Sequence, residues 1–299
     1  MLTDTEFIKK LEYLALVAQR VFRGQLLARK RTRIQGNGIE FADHRDYVLG
    51  DDLRYLDWSI FARLGSRSVK RFEEEEDLYV YFFIDCSPSM AAGTSIRGET
   101  KLDYAKKIAA ALAYIALSGL DRVSIISFSD GIQERFPLIR GKQNILRILY
   151  FLENIQISGS ATNLKETVSE FFHSKPHTGL AIILSDLFNV NGLHNGQQWA
   201  LDALRYRDFE PGVVLTYAPS EREPDVLGDI RLQESENGSM LNLTVSEKMQ
   251  RLYRDKFDGF LRNVQNYCSK NGLNCLTTDM MLPFEETILR MMRESGMAK

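Results

Sequence analysis

The chain has 299 residues, 44% hydrophobic and 26% charged, values of an ordinary globular protein long enough for one large domain or for a domain with an extension. Its formal net charge of −2 excludes a general electrostatic bias toward nucleic acid or anionic membrane, and no apolar run has the length of a bilayer-spanning helix. Cys86, Cys268 and Cys275 are too few and too scattered for a disulfide framework or a zinc site, and the amphipathic start MLTDTEFIKKLEY is unlike a signal peptide, so the expected compartment is the reducing cytoplasm.

Phe7, Leu11, Leu14, Ala15 and Ala18 recur at helical spacing and predict a helix over Thr5 to Val21. The basic stretch Arg20 to Arg33 reads as a solvated helix end and loop, with contact to an acidic partner or phosphates as the alternative. No aromatic residues interleave with its charges, which disfavours a base-stacking platform. From Gln35 to Glu76 neither the helix nor the strand period holds for long. Here Arg45 and Arg54 alternate with Asp51, Asp52 and Asp57, and with Phe41, Tyr47, Tyr55 and Trp58. The expectation is a compact segment held by Arg–Asp pairs, with Phe41 and Trp58 in its core and a strand near Ser68 to Phe72. The acidic run Glu73 to Asp77 reads as solvated, with docking to a basic surface as the alternative. Gly36-Asn37-Gly38 lacks the third glycine and the strand-to-helix context of a dinucleotide-binding loop.

The next stretch, Tyr79 to Ile84, is continuously apolar and aromatic, the pattern of a strand buried on both faces. A helix follows over Lys101 to Leu117, ended by Gly119. Strands at Arg122 to Phe128 and Ile132 to Leu138, the latter antiparallel, precede helices at Gln143 to Glu153 and Leu164 to His173, the second capped by Thr162 or Asn163. Then come strands at Gly179 to Leu184 and Gly212 to Tyr217 around a helix near Gln197 to Tyr206. A hairpin around Asn237-Gly238, a helix over Ser246 to Asn271, a strand near Leu273 to Thr277 and a helix over Pro283 to Arg293 complete the chain. Strands alternating with helices from Tyr79 onward specify an α/β fold with a mostly parallel sheet covered on both faces.

Oxygen donors gather on the loops of this alternation. Asp85, Ser87 and Ser89 follow the first strand, Thr162 lies in GSATNL, and Asp186 follows the strand ending in ILS. Open α/β sheets bind ligands beyond the carboxyl ends of their strands. If the strands before Asp85 and Asp186 are neighbours, two carboxylates and several hydroxyls converge, a donor set suited to Mg²⁺ (or Mn²⁺). Taken singly, each of these residues would be read as a turn or cap residue. Cys86 has no neighbouring histidine and reads as a small buried side chain. The scattered His173 and His177, with Pro176 between them, do not suggest zinc.

The order Asp-x-Ser-x-Ser, then Thr, then Asp resembles the metal-ion-dependent adhesion site (MIDAS) of von Willebrand factor A domains, over roughly Tyr79 to the C-terminus. The preceding G-N-G-I-E-F, R-D-Y, G-D-D-L-R-Y-L-D-W and V-K-R-F-E-E-E resemble the bacterial family called domain of unknown function fifty-eight. The double resemblance implies a von Willebrand factor A-like, Rossmann-type domain over 79–299 with a small hairpin insertion near 224–243, after an N-terminal extension over 1–78. It also implies Asp85, Ser87, Ser89, Thr162 and Asp186 as metal-site residues, and a chaperone-like association with MoxR-type AAA+ ATPases in the maturation or remodelling of other proteins. This sequence departs from many relatives in having Ser160-Ala161-Thr162-Asn163 at the loop threonine, and Leu187 where a glycine often follows the last acid, which stiffens that loop.

The expected function is a non-enzymatic binding module whose metal accepts an Asp or Glu from a protein partner, with no nucleic acid and no membrane span involved. The alternatives are a Mg²⁺-dependent phosphohydrolase or phosphotransferase using Asp85 as nucleophile, and a structural scaffold with a vestigial site. Against the enzyme, no basic residue in the Thr162 or Asp186 loops would hold a phosphate, and no Walker-type glycine loop occurs.

Overall fold

The computed structural model of the chain describes residues 2–22, 31–32, 40–75, 78–91, 98–188, 193–224, 226–233 and 240–293. They form two compact units, Met1–Ala18 with Tyr79–Lys299, and Gln19–Leu78. This division corrects the reading of 1–78 as one extension. Helix α1 (Thr5–Phe22) buries Phe7, Leu11, Leu14 and Ala18, and its tertiary partners lie in the large unit. The Phe7 ring sits 5.2 Å from Phe284, Lys10 pairs with Glu285 at 3.0 Å, and the Thr3 amide donates to Glu153.

In the small unit, β1 (Arg31–Thr32), β2 (Glu40–Asp46) and β3 (Ser68–Glu75) form an antiparallel sheet in the order β1-β3-β2, with α2 (Trp58–Leu64) before β3. Strand β3 runs past the expected Phe72 because it pairs on both sides, which draws Glu73 to Glu75 into the strand. Asp57 starts α2 by accepting from the amides of Ser59 and Ile60, and Gly65 ends it with φ +69°, a left-handed conformation that glycine adopts without strain. Trp58 is not core: it is 61% exposed, and α2 buries none of its residues. Among the residues of this unit whose side chains are described, the buried apolar ones are Leu56 and Val69, joined by a backbone bridge. The Arg–Asp pairs exist, but they are local. Arg45 grips Asp51 with two bonds of 2.8 and 2.6 Å, and Arg54 grips Asp52, two residues away, on the surface. They stiffen turns rather than build an internal framework. Phe41, the Gly36–Gly38 region and the basic stretch Arg20 to Arg33 lie outside the residues whose side chains are described.

The large unit runs β4 (Tyr79–Asp85), α3 (Lys101–Ser118), β5 (Arg122–Phe128), β6 (Ile132–Arg140), α4 (Ile145–Asn154), α5 (Leu164–His173), β7 (Leu180–Ser185), α6 (Asn195–Tyr206), β8 (Glu210–Tyr217), α7 (Pro219–Arg222), β9 (Gly228–Gln233), β10 (Met240–Val245), α8 (Glu247–Lys270), β11 (Asn274–Asp279) and α9 (Phe284–Met292). Six strands make one sheet in the order β11-β8-β7-β4-β5-β6, parallel except for β6. β4 is central, and its alternating side chains serve two cores. Tyr81 and Phe83 pack with Phe171 of α5, Leu201 and Leu204 of α6, and Val264 of α8. Phe82 and Ile84 turn to the opposite face, where α3 packs through Ala105, Ile108 and Ala109. The alanines let the helix approach closely, and the Tyr104 hydroxyl bonds Thr287 of α9 at 2.7 Å. At the end of α3 the left-handed residue is Leu120 (φ +63°) and not Gly119, which caps the helix with φ −84°.

β9 and β10 pair antiparallel as a separate two-stranded sheet, and the Asn237-Gly238 turn between them lies outside the described residues. No helix among the described residues is long and apolar enough to cross a membrane.

Candidate metal centre

β4 and β7 are direct neighbours, with Ile84 opposite Leu184, so Asp85 and Asp186 emerge side by side at the carboxyl edge of the sheet. Asp85 is fully buried and Asp186 is 5% exposed. One Asp85 oxygen accepts the Ser87 amide at 2.9 Å, and the other accepts the Ser185 hydroxyl at 2.5 Å. Pro88 begins a short 3-10 turn, Pro88–Ala91, that folds the loop back after the strand. It brings the Ser87 and Ser89 hydroxyls to 3.1 Å from one another.

Thr162 sits half-buried in the loop between α4 and α5. That loop is tied to both neighbouring strand ends. The Ser158 amide donates to Cys86 O at 2.8 Å, and the Asn163 amide donates to Ser129 O at 2.6 Å. Gly159 takes φ +75°, and a Cβ there would fall 2.7 Å from the Ser129 Cβ, so only glycine lets the loop lie this close. Asn163, not Thr162, caps α5 by accepting the Glu166 amide, which leaves the Thr162 hydroxyl out of the cap. Lys106, buried in α3, anchors the start of the loop through Ile155 O at 2.6 Å. Cys86 is fully buried, its thiol bonding Phe128 O and Ser158, and burial raises its pKa. Contacts thus join Asp85, Ser87, Ser89 and Ser185, Asp186 lies beside them, and Thr162 reaches the same edge on its own anchored loop.

The structure adds residues that sequence reasoning missed. Lys101, the first residue of α3, has no exposed side-chain surface, and its ammonium lies 2.7 Å from Asp186 Oδ2 and 2.5 Å from Glu221 Oε1. Glu221 belongs to α7, just beyond β8, and its other oxygen accepts the Ala218 amide. Ser185 bridges the site, donating to Asp85 and accepting the Leu187 amide at 3.0 Å. Leu187 itself is left-handed, φ +44°, and 1% exposed. Leucine holds a backbone conformation that glycine adopts more easily, and its side chain is buried in the core. Only Ser185, adjacent to Asp186, carried any signal in the sequence. Lys101 and Glu221 are 85 and 120 positions apart from their partner in the chain.

The electrostatics follow from burial. Desolvation first, and repulsion from Asp186 second, push the Asp85 carboxyl up to about 7, although Ser185 and Ser87 hydrogen bonds oppose the rise. Burial works against the Lys101 charge, but Asp186 and Glu221 outweigh it and hold its pKa above the ordinary lysine value. Burial likewise raises Glu221, with Lys101 opposing. Two carboxylates, Asp186 and Glu221, therefore share one ammonium, and a third, Asp85, lies beside Asp186 with no cation on it among the described residues. Asp85 stands beside serine hydroxyls, and the two aspartates with these hydroxyls make a hard-oxygen donor set short of positive charge. These residues fit a divalent cation such as Mg²⁺, which prefers oxygen ligands.

A family model described as "Protein of unknown function DUF58" matches residues 43–265. The chain belongs to the DUF58 family. Its large unit has the α/β architecture expected from the alternation of strands and helices, a mostly parallel sheet with β4 central and β6 as the antiparallel edge. Among similar proteins are uncharacterized proteins of Mycobacterium tuberculosis and Mycobacterium bovis. Each is 24% identical over 251 residues, covering 83% of this chain and 76% of the relative. Similar solved structures include the conserved hypothetical protein BatB from Bacteroides thetaiotaomicron, with 16% identity, TM-score 0.45, and coverage of 73% of this chain and 98% of that one. An aerotolerance-related membrane protein from Bacteroides fragilis gives 15%, 0.47 and the same coverage. Proximal thread matrix protein 1 from the mussel byssus, with a zinc-occupied MIDAS motif, gives 12% and 0.42, covering 74% of this chain and 48% of that one.

Proposed function

We propose that this DUF58 protein is a metal-dependent protein-binding module and not an enzyme. The observation that carries the reading is the placing of Asp85 and Asp186 together at the carboxyl ends of adjacent parallel strands, both buried, with serine hydroxyls beside Asp85. Asp85, Asp186, Ser87, Ser89 and Thr162 would hold Mg²⁺ or Mn²⁺. Bound there, the ion would supply a coordination position for an anionic oxygen, the Asp or Glu of a partner protein. The chain's own part is to preorganise the donors: Ser185 and the Ser87 amide orient Asp85, and Lys101 orients Asp186. The family resemblance points to a MoxR-type AAA+ ATPase as the partner, acting with this protein on a client in maturation or remodelling.

The geometry weighs against Asp85 as a nucleophile in phosphoryl chemistry. Both its oxygens already accept hydrogen bonds, and it has no exposed surface. Lys101, the basic side chain that contacts Asp186, is buried and committed to two carboxylates.

The test is a thermal melt of wild type and Asp85→Ala in EDTA, Mg²⁺ and Mn²⁺, followed by binding to a MoxR-type ATPase under the same conditions. A ligand at a hundredfold excess over Kd stabilises the native state by about 2.7 kcal/mol. That corresponds to roughly 5–10 °C for a domain of this size. The expected result is such a rise in wild type alone, with partner binding lost in EDTA and in Asp85→Ala. Equal melts in all conditions together with metal-independent partner binding would sink the reading.

A further inference from the structure

We propose that Lys101 is a built-in rival of the metal for Asp186, a positioning residue that sets how tightly the centre holds its ion. The inference rests on the metal-binding reading above, and it concerns residues that the adhesion-type motif does not include.

Lys101 cannot swing away from the site as a surface lysine would. It is the first residue of α3, and the turn it stands on is clamped by a capping box in which Thr100 bonds the Asp103 amide and Asp103 bonds the Thr100 amide. The box also occupies the Asp103 carboxylate. With no exposed surface, the ammonium needs carboxylate partners, and it has two, Asp186 and Glu221. Glu221 is held in turn by the Ala218 amide. Lys101 therefore bridges the ends of β7 and β8 as a fixed cation.

The consequence for Asp186 is direct. Its Oδ2 faces Lys101 at 2.7 Å, and its Oδ1 faces the Phe188 amide at 3.4 Å. An incoming ion meets a carboxylate whose charge is already partly balanced. The ion is held less tightly and keeps more of its positive character for an external carboxylate. Glu221 keeps Lys101 from neutralising Asp186 completely. Lys101, Asp186 and Glu221 together carry one negative charge, and an ionised Asp85 beside Asp186 makes it two, which a divalent ion balances and a monovalent ion does not.

The experiment measures Mn²⁺ and Mg²⁺ affinity directly, by calorimetric titration of the full chain, with circular dichroism as the folding control. The double variant Lys101→Met/Glu221→Gln removes one positive and one negative charge, so the formal charge of the centre is unchanged. Metal binding is expected to tighten at least about tenfold, the usual scale for a residue that acts on a metal ligand from outside. Glu221→Gln alone leaves Lys101 with Asp186 as its only carboxylate, and binding is expected to weaken about tenfold. Wild-type binding with unchanged or weaker binding in the double variant overturns the role of Lys101 and leaves the metal-binding reading standing. Binding by the double variant but not by wild type supports the rivalry and removes the resident metal from the proposed function. Binding by neither overturns both. If the double variant does not fold, unchanged or tighter binding in Glu221→Gln overturns the proposal; Glu221 is partly exposed, and its substitution strands less buried charge than loss of Lys101 does.

Discussion

Tyr79–Asp85 and Trp58–Leu64 are both rich in aromatic and aliphatic residues, yet they meet opposite fates. The first is buried along its length after Tyr79; the second leaves Trp58, Phe61 and Leu64 exposed. The difference lies in what each segment pairs with. β4 has a strand on each edge and helices on each face, so each alternate side chain finds a layer to enter. α2 lies beside a small sheet, and its start and end are set by Asp57 and Gly65 rather than by an apolar face. Charge follows the same division. In the large unit Lys101, Asp186 and Asp85 are buried and interdependent, whereas in the small unit Arg54 and Asp52 meet two residues apart on the surface.

The largest break in this comparison comes from its two aromatic regions. Phe171 is fully buried, edge-on to Tyr81 and Phe83 at 5.0 and 5.1 Å, and Phe171→Ala should cost about 3–5 kcal/mol. Trp58→Ala should change stability by less than about 0.5 kcal/mol. Urea denaturation of the two variants checks the contrast, and similar losses would mean that Trp58 is covered in solution.

pH should separate the regions by sign. Asp85 is raised to about 7, so its contribution to stability is fully present below the ordinary value of 3.8 and is lost as pH rises through about 7. Asp57 is lowered to about 2, chiefly by its bond to His44 and also by the Ile60 and Ser59 amides against opposing burial. Its contribution is present above 3.8 and is lost as pH falls through about 2. In EDTA, Asp85→Asn should flatten the decline in urea midpoint toward neutral pH, and Asp57→Asn should flatten the decline on the acid side. Profiles that superimpose on wild type would contradict both assignments.

A smaller effect sharpens the account of the Asp186 loop. Leu187→Gly gives up a buried side chain, worth about 2–5 kcal/mol, and relieves a left-handed backbone that costs leucine roughly 1–2 kcal/mol. The net expectation is a loss of about 1–3 kcal/mol by chemical denaturation. A gain in stability would show that backbone strain outweighs burial there.

Much of the large unit was legible because its signals are local and strong. An apolar run ending in Asp85-Cys86-Ser87-Pro88 has one sensible reading, and β5 runs over Arg122–Phe128 and α5 over Leu164–His173 as periodicity indicated. The small unit was legible in its pairs of opposite charge and in the strand that starts at Ser68. Trp58 was misread because an aromatic side chain carries no mark of which way a short, irregular segment will turn it. Leu120 shows the same limit on a finer scale: a glycine beside a helix end is a strong signal, but the register of the last turn chose its neighbour for the left-handed position.

Chain order and residue type single out Asp85, Ser87, Ser89, Thr162 and Asp186 as candidate oxygen donors, since each lies at or near the end of an element that periodicity reveals. What they could not reveal is which groups from distant elements complete the centre. In the sequence Lys101 only starts a helix, and Glu221 and Ser185 carry no mark of the groups they meet. Strand order places β4, β7 and β8 side by side, and that order is a property of the assembled sheet, set by which faces the helices cover, not by any local period. Burial then did the rest, turning ordinary side chains into a coupled cluster of charges that water would have kept apart.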